Sequence, residues 1–150
     1  MIKALIVEDN PVNRELLREL LEMRGYEVEE ACDGVEALEV LERTRPNVLL
    51  LDLNIPRLDG FGVVRKVREN RTLEDLPVVA VTAYAMRGDR EKALEAGFDG
   101  YLSKPINALL LAEELERLLG SGFSRRKAAT QGVDNLHDER ITSRNSGSES

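Results

Sequence analysis

The sequence predicts an α/β fold in which five strands and five helices alternate along the chain. Short runs rich in Val, Ile and Leu alternate with longer segments of helical period, which is the pattern of repeated βα units. Connections between parallel strands are right-handed, so we expect the helices to cover both faces of one doubly wound parallel sheet. The chain contains no internal repeat.

Length, charge and cysteine content exclude several classes of protein. The chain has 150 residues, of which 42% are hydrophobic, which is one domain's worth of sequence. The net charge of -7 argues against direct DNA binding, because nucleic acid phosphates repel an acidic surface. A single Cys32 excludes an intramolecular disulfide, and the apolar runs are too short for a membrane span. We therefore expect a cytoplasmic protein that does not bind membranes.

The strands and helices can be assigned in order from their apolar runs and from the residues that begin and end helices. We predict strands at residues 3–7, 27–31, 47–51, 77–81 and 100–103, with the third and fourth fully buried. The first helix has Asn10 as its N-cap, Pro11 at its first position and Gly25 as its stop. The other four helices are predicted to begin at Asp33, Asp59–Gly60, Met86 and Asn107 and to end near Arg43, Asn70, Ala96 and Leu119.

The composition changes after Gly120. From there on Ser, Arg, Gly, Asn and Thr are abundant, and apolar residues show no sustained period. Such a segment cannot bury enough apolar surface to fold by itself. The sequence therefore predicts a domain over residues 1–120 and a flexible polar tail or linker stub over residues 121–150.

Polar residues stand at the carboxyl end of four predicted strands. Glu8 and Asp9 follow the first, Asp52 the third, Thr82 the fourth, and Lys104 the fifth. All strands of a parallel sheet end at the same edge, where ligands bind in the crevice, so these side chains should converge. The sequence thus predicts a site made of three carboxylates, a hydroxyl and an ammonium.

Three carboxylates in one crevice require a cation. Two ionised carboxylates about 4 Å apart repel by a few kcal/mol at an effective dielectric near 20. Magnesium suits this site because it is a hard ion that binds one or two carboxylates together with water and phosphate oxygens. Zinc is disfavoured because no His or Cys follows these strand ends.

At these positions the chain resembles the receiver domain of two-component response regulators, over residues 1–120. The resemblance rests on Glu8-Asp9, the segment 52–60, Thr82-Ala83, and a tyrosine three residues ahead of Lys104-Pro105. It implies a flavodoxin-like, doubly wound sheet of order 2-1-3-4-5. It also implies phosphorylation of Asp52 by a histidine kinase or a histidine phosphotransfer protein.

The resemblance also implies a ligand set for the metal. Glu8, Asp9, Asp52 and the backbone carbonyl of Asn54 would surround Mg²⁺, with Mn²⁺ as the alternative ion. Glu8 stands where the family frequently has Asp, and its longer side chain still reaches a metal directly or through water. Asp52 would be the nucleophile that holds the acyl phosphate, and a carboxylate nucleophile needs no general base.

The remaining site residues respond to the phosphoryl group. Lys104 can contact its equatorial oxygens, which supplies charge neutralisation in a loose transition state. The Thr82 hydroxyl can donate a hydrogen bond only after the group arrives, so it is the natural sensor. By resemblance Tyr101 is an aromatic switch that turns inward, and Asn54 and Tyr84 tune the access of hydrolytic water. Pro105 is a candidate for a cis peptide bond.

Three hypotheses for the output stay open. The first is a stand-alone receiver that binds protein partners, through the face shared by the fourth and fifth helices or through the first helix, where Val12, Leu16, Leu17, Leu20 and Leu21 spread widely. Within it, phosphate relay and allosteric control of an unknown target are both open. The second is the receiver portion of a longer regulator.

The third hypothesis is an enzyme, a phosphatase of the haloacid-dehalogenase type. Such an enzyme also uses an Asp nucleophile with Mg²⁺ on a doubly wound sheet. Its nucleophile follows the first strand in an Asp-x-Asp arrangement, whereas Glu8-Asp9 lacks that spacing and Asp52 follows the third strand. The sequence therefore favours a phosphoacceptor that is not a classical enzyme.

Overall fold

A computed structural model of the chain describes residues 2–83 and 87–120, which form five βα units. The elements, in chain order, are β1 (Lys3–Val7), α1 (Pro11–Met23), β2 (Glu27–Ala31), α2 (Gly34–Thr44), β3 (Val48–Asp52), α3 (Gly60–Glu69), β4 (Val78–Thr82), α4 (Asp89–Ala96), β5 (Gly100–Ser103) and α5 (Ala108–Leu119). The predicted Tyr84 position, the residue Met86 and the tail over residues 121–150 lie outside the described residues.

The five strands form one parallel sheet in the order β2-β1-β3-β4-β5, as predicted. The chain order reverses between β1 and β3, so their carboxyl ends flank the switch point where ligands bind in such sheets. Val7 is paired with Leu51 across this point, and Asp52 is paired with Val81 on β4. The topology thus places the end of β3 at the centre of the crevice.

The sheet has a core on each face. One core joins β1 and β3 to α2, α3 and α4, and it includes Leu49 and Leu51. The opposite face is covered by α1 and α5, whose buried leucines are Leu17, Leu21, Leu111, Leu115 and Leu118. Because helices cover both faces, β3 and β4 are buried along their whole length, which confirms the prediction from their continuous apolar runs.

The predicted helix caps Asn10 and Asp33 are confirmed, and Asp59 and Asn107, predicted only as helix starts, are caps as well. Asn10 accepts hydrogen bonds from the Val12 and Asn13 amides, and Asn107 accepts in the same way at the start of α5. Asp33 and Asp59 cap α2 and α3 through the amides three residues on, at 2.8 and 2.9 Å. These caps fix where each helix leaves the crevice edge of the sheet.

Three predicted elements have the wrong bounds. The strands predicted at 47–51 and 77–81 each lie one residue later, because Asp52 still pairs with Val81 while Pro77 has no N–H to donate to the ladder. The fourth helix begins at Asp89 rather than at Met86. Gly88 precedes it with a φ of 87°, and this left-handed conformation cannot continue a helix.

The apolar side chains of α1 divide between the core and the surface. Leu17 and Leu21 are buried, Leu20 is half-buried, and Val12 and Leu16 are 75% and 42% exposed. Only part of the wide apolar face predicted for α1 is therefore exposed at the protein surface.

No helix of residues 2–83 and 87–120 is long and apolar enough to cross a bilayer.

Candidate phosphoacceptor and metal site

The crevice edge of the sheet brings the three predicted carboxylates together. Ligand oxygens of Glu8, Asp9 and Asp52 all lie within 4.8 Å of one another. Glu8 and Asp52 are only 1% and 5% exposed, whereas Asp9 is exposed. The cluster therefore has a buried floor made of two carboxylates and an open side at Asp9.

Backbone amides hold one oxygen of each buried carboxylate. The Asn10 amide donates to Glu8 Oε2 at 3.1 Å, and the Asn54 amide donates to Asp52 Oδ1 at 2.9 Å. Both donors lie two residues beyond their acceptor, so the local turn after each strand sets the carboxylate orientation. The second oxygen of each group lies next to Lys104.

Lys104 bridges the two buried carboxylates. Its Nζ lies 2.6 Å from Glu8 Oε1 and 2.9 Å from Asp52 Oδ2. Burial by itself would lower the pKa of Lys104, but the hydrogen bonds to Asp52 and Glu8 outweigh it and raise that pKa. The Lys104–Pro105 peptide bond is cis, as predicted, and the Lys104 amide donates to the Thr82 carbonyl at 2.8 Å.

The pKa of Glu8 is raised by burial first and also by the nearby charge of Asp52, although Lys104 and the Asn10 amide oppose the shift. A raised carboxyl pKa means that the folded state disfavours the charged form at neutral pH. Glu8 therefore lowers the stability of the metal-free protein at neutral pH.

Replacing Glu8 by Gln should raise the melting temperature of the protein in EDTA by a few degrees at pH 7. The folded protein binds protons more tightly at Glu8 than the unfolded chain does, so the advantage of Gln should shrink as the pH falls toward about 4.3, the ordinary value for glutamate. Thermal melts of both proteins across this pH range test whether the difference in melting temperature shrinks as the pH falls. Glu39→Gln, on the exposed side of α2, is the matched control, and an equal effect there would contradict the account.

The predicted sensor residue lies on the strand next to Asp52, and the predicted switch residue lies on β5, paired with Ala80. Thr82 is buried at the end of β4, directly across the ladder from Ser103. Tyr101 packs against the core, and no described residue hydrogen-bonds to its buried hydroxyl. Burial raises the pKa of Tyr101, and the carboxylate of Asp89 adds to the shift. The ring is thus turned inward here.

One residue that supports the site escaped the sequence reasoning. Arg14 Nη1 donates to the Glu8 carbonyl at 2.8 Å, and Arg14 Nε pairs with Glu30 at 3.1 Å. These contacts tie the loop after β1 to β2. The sequence gives no signal for these contacts, because Arg14 lies on α1 and its partner Glu30 lies on β2, 16 residues away.

The sequence profile described as response regulator receiver domain matches residues 4–116. The chain belongs to the response regulator receiver family. Its curated relatives include the polar-differentiation response regulator DivK of Brucella anthropi, which is 39% identical over 117 residues, covering 78% of this chain and 95% of the relative. DivK of Brucella ovis is 38% identical with the same coverage.

Solved receiver structures share the fold. The receiver domain of a sensor histidine kinase of Pseudomonas aeruginosa has a TM-score of 0.74 and 39% identity, covering 80% of this chain and 98% of that chain. That structure holds a magnesium ion in its active-site cleft. The chemotaxis protein CheY4 of Vibrio cholerae has a TM-score of 0.73 and 33% identity, covering 78% of this receiver and 98% of that chain. This chain is therefore a signalling receiver of two-component systems.

Proposed function

We propose that Asp52 accepts a phosphoryl group from a phosphohistidine, in a Mg²⁺-dependent reaction, and that the phosphorylated receiver changes its contacts with other proteins. The observation that carries the proposal is the setting of the Asp52 carboxylate. It lies at the switch point of the sheet, with Oδ1 bound by the Asn54 amide and Oδ2 2.9 Å from Lys104 Nζ. The Asn54 amide fixes the orientation of the carboxylate, and Lys104 places a positive charge where the phosphoryl oxygens would arrive.

The donor set fits a hard divalent cation. Glu8, Asp9 and Asp52 offer only carboxylate oxygens within 4.8 Å, and we propose the carbonyl of Asn54 as a fourth ligand. Bound Mg²⁺, or Mn²⁺ as the alternative ion, would neutralise the carboxylates and the phosphoryl oxygens. The magnesium in the cleft of the Pseudomonas aeruginosa receiver supports this assignment.

The residues of the chain can carry out the transfer without a general base. A carboxylate oxygen of Asp52 attacks phosphorus while the bond from phosphorus to the histidine nitrogen breaks, and that nitrogen leaves with the electron pair. Lys104 already lies beside Asp52, so its ammonium can follow the phosphoryl oxygens with a small movement. The receiver thereby catalyses its own phosphorylation, and hydrolysis of the acyl phosphate resets it.

The switch is proposed to run from Thr82 to Tyr101. A phosphoryl group on Asp52 would favour the conformer in which the Thr82 hydroxyl donates to it, which shifts a pre-existing equilibrium. The inward Tyr101 ring, with its buried hydroxyl, is compatible with such a conformer.

The proposed partners are proteins. They are a histidine kinase or a histidine phosphotransfer protein as donor and a downstream protein as target, with no direct contact to DNA or membrane. The curated relatives support a stand-alone receiver, because the match covers 95% of their length. We propose the cytoplasm as its location, as expected for an acidic chain with one cysteine.

Incubation with acetyl phosphate and Mg²⁺ should add the mass of one phosphoryl group to the protein, and Asp52→Asn should gain none. The amide cannot act as the nucleophile, so the loss should be complete. Intact mass spectrometry under rapid sampling measures both. Asp75→Asn, at an exposed carboxylate on the opposite edge of the sheet, is the control and should gain as wild type does. A wild-type protein that gains no mass with or without Mg²⁺ would overturn the proposal.

A further inference from the structure

The turn between β2 and α2 touches the β3–α3 loop, which comprises residues 53–59. Gly34, the first residue of α2, leaves no room for a side chain. A Cβ there would lie 1.9 Å from the Leu58 carbonyl oxygen and 2.7 Å from Leu58 Cβ. Atoms do not approach this closely, and the obstacle is backbone that cannot rotate away. Any side chain at Gly34 would therefore displace the loop.

Polar contacts hold the same two segments together. The Gly34 amide donates to the Pro56 carbonyl at 3.3 Å, and Arg57 Nε lies 3.3 Å from Asp33 Oδ1. Arg57 has a φ of 71°, a left-handed conformation that a residue with a side chain rarely adopts. The Glu36 amide and then Arg57 lower the pKa of Asp33, which keeps this carboxylate charged. The turn therefore both packs against the loop and binds it.

The other end of the loop is held at the phosphoacceptor. The Asn54 amide bonds Asp52 Oδ1, and the Gly60 amide donates to the Leu53 carbonyl at 3.1 Å. A Cβ on Gly60 would lie 2.8 Å from Leu53 Cα, so the start of α3 also presses against this end. The loop has seven residues and is in close contact at both ends, which leaves little room for it to absorb a shift at Leu58 locally. We therefore expect the shift to reach Asn54.

We infer that Gly34 is a positioning residue for the phosphoacceptor site, because it lets the β2–α2 turn set the loop that carries the Asn54 carbonyl and amide. The inference rests on the proposed function, since it assigns Gly34 to the binding of Mg²⁺ by that same site. Gly34 itself touches neither the metal nor the phosphoryl group. Residues that orient metal ligands from outside typically change metal affinity by about 10- to 100-fold when they are replaced.

Gly34→Ala should weaken Mg²⁺ binding by roughly 10- to 100-fold. The measurement is a Mg²⁺ titration followed by the NMR amide shifts of Asp52 and Asn54 in the full chain. Glu39→Gly is the matched control, because glycine at this exposed position of α2 destabilises the same helix by about 1 kcal/mol, roughly a fivefold change in the folding equilibrium, without touching the loop. Its Mg²⁺ affinity should equal that of wild type.

A second variant keeps the test decisive if Gly34→Ala does not fold. Asp33→Asn retains a side chain that can cap α2 but removes the ion pair to Arg57, and it should weaken Mg²⁺ binding by about two- to fivefold. Unchanged affinity in a folded Gly34→Ala overturns the inference, as does an equal loss in Glu39→Gly. If Gly34→Ala is unfolded, unchanged affinity in Asp33→Asn overturns it. Wild-type protein that binds no Mg²⁺ would instead overturn the proposed function.

Discussion

Lys104→Met should lower the free energy of unfolding of the metal-free protein by about 3–5 kcal/mol at neutral pH. Methionine keeps the apolar stem of the side chain but removes the ammonium that bridges Glu8 Oε1 and Asp52 Oδ2. Both carboxylates are buried, so the loss leaves two facing charges without a counter-charge. Denaturant unfolding in EDTA measures the change.

The matched control is Lys66→Met, which removes an exposed ammonium from α3 and should change stability by less than about 0.5 kcal/mol. Mg²⁺ should stabilise Lys104→Met more than it stabilises wild type, because the ion replaces the missing positive charge between the carboxylates. The same variant should be phosphorylated by acetyl phosphate about 10²–10³-fold more slowly, the usual loss when one preorganised donor is removed. Wild-type stability in Lys104→Met without metal would contradict the bridging role.

Arg68→Ala should destabilise the fold by about 3–5 kcal/mol. The Arg68 guanidinium donates at least five hydrogen bonds to groups in the described part of the chain. Two go to the Gly97 carbonyl, one each to the Glu74 and Leu76 carbonyls, and one to Asp99 Oδ2. Its partner Asp99 has a side chain only 5% exposed, so the variant takes a guanidinium away from a buried carboxylate. Arg68 thereby joins the end of α3 to the starts of β4 and β5.

Arg65→Ala is the control for this prediction, because Arg65 lies one turn earlier on α3 and is exposed. Its replacement should change the free energy of unfolding by less than about 0.5 kcal/mol. Denaturant unfolding of both variants measures the difference. Equal stability of the two variants would mean that the Arg68 contacts add nothing beyond surface hydrogen bonds.

Much of the fold could be predicted because local signals agreed with tertiary packing. The strands β1, β2 and β5 have the predicted bounds, and the caps Asn10 and Asp33 stand where the pattern placed them. The predicted start of α4 was wrong because the true start depends on the backbone conformation of Gly88, which the sequence does not specify. The prediction that the leucines of α1 form a surface was wrong in part, because helical spacing shows which face is apolar but not which neighbour covers it.

The candidate site could be predicted because a parallel sheet brings every strand end to one edge, so Glu8, Asp52 and Lys104 converge without any local contact. The groups that hold the site in place could not be predicted in the same way. From the sequence alone, Gly34 is only the residue that follows a helix cap, and Arg68 is only one of several charged residues on a helix. Their roles depend on contacts with Leu58 and Asp99, which only the folded chain reveals.

The central claim is that Asp52 carries the phosphoryl group, and mapping the modified residue tests it most directly. Borohydride reduces an aspartyl phosphate to homoserine, which marks the acceptor position permanently. After incubation with acetyl phosphate and Mg²⁺, reduction and peptide mass spectrometry should find homoserine at position 52 and nowhere else. Homoserine at Asp9, or a reduced side chain at Glu8 with Asp52 intact, would contradict the assignment.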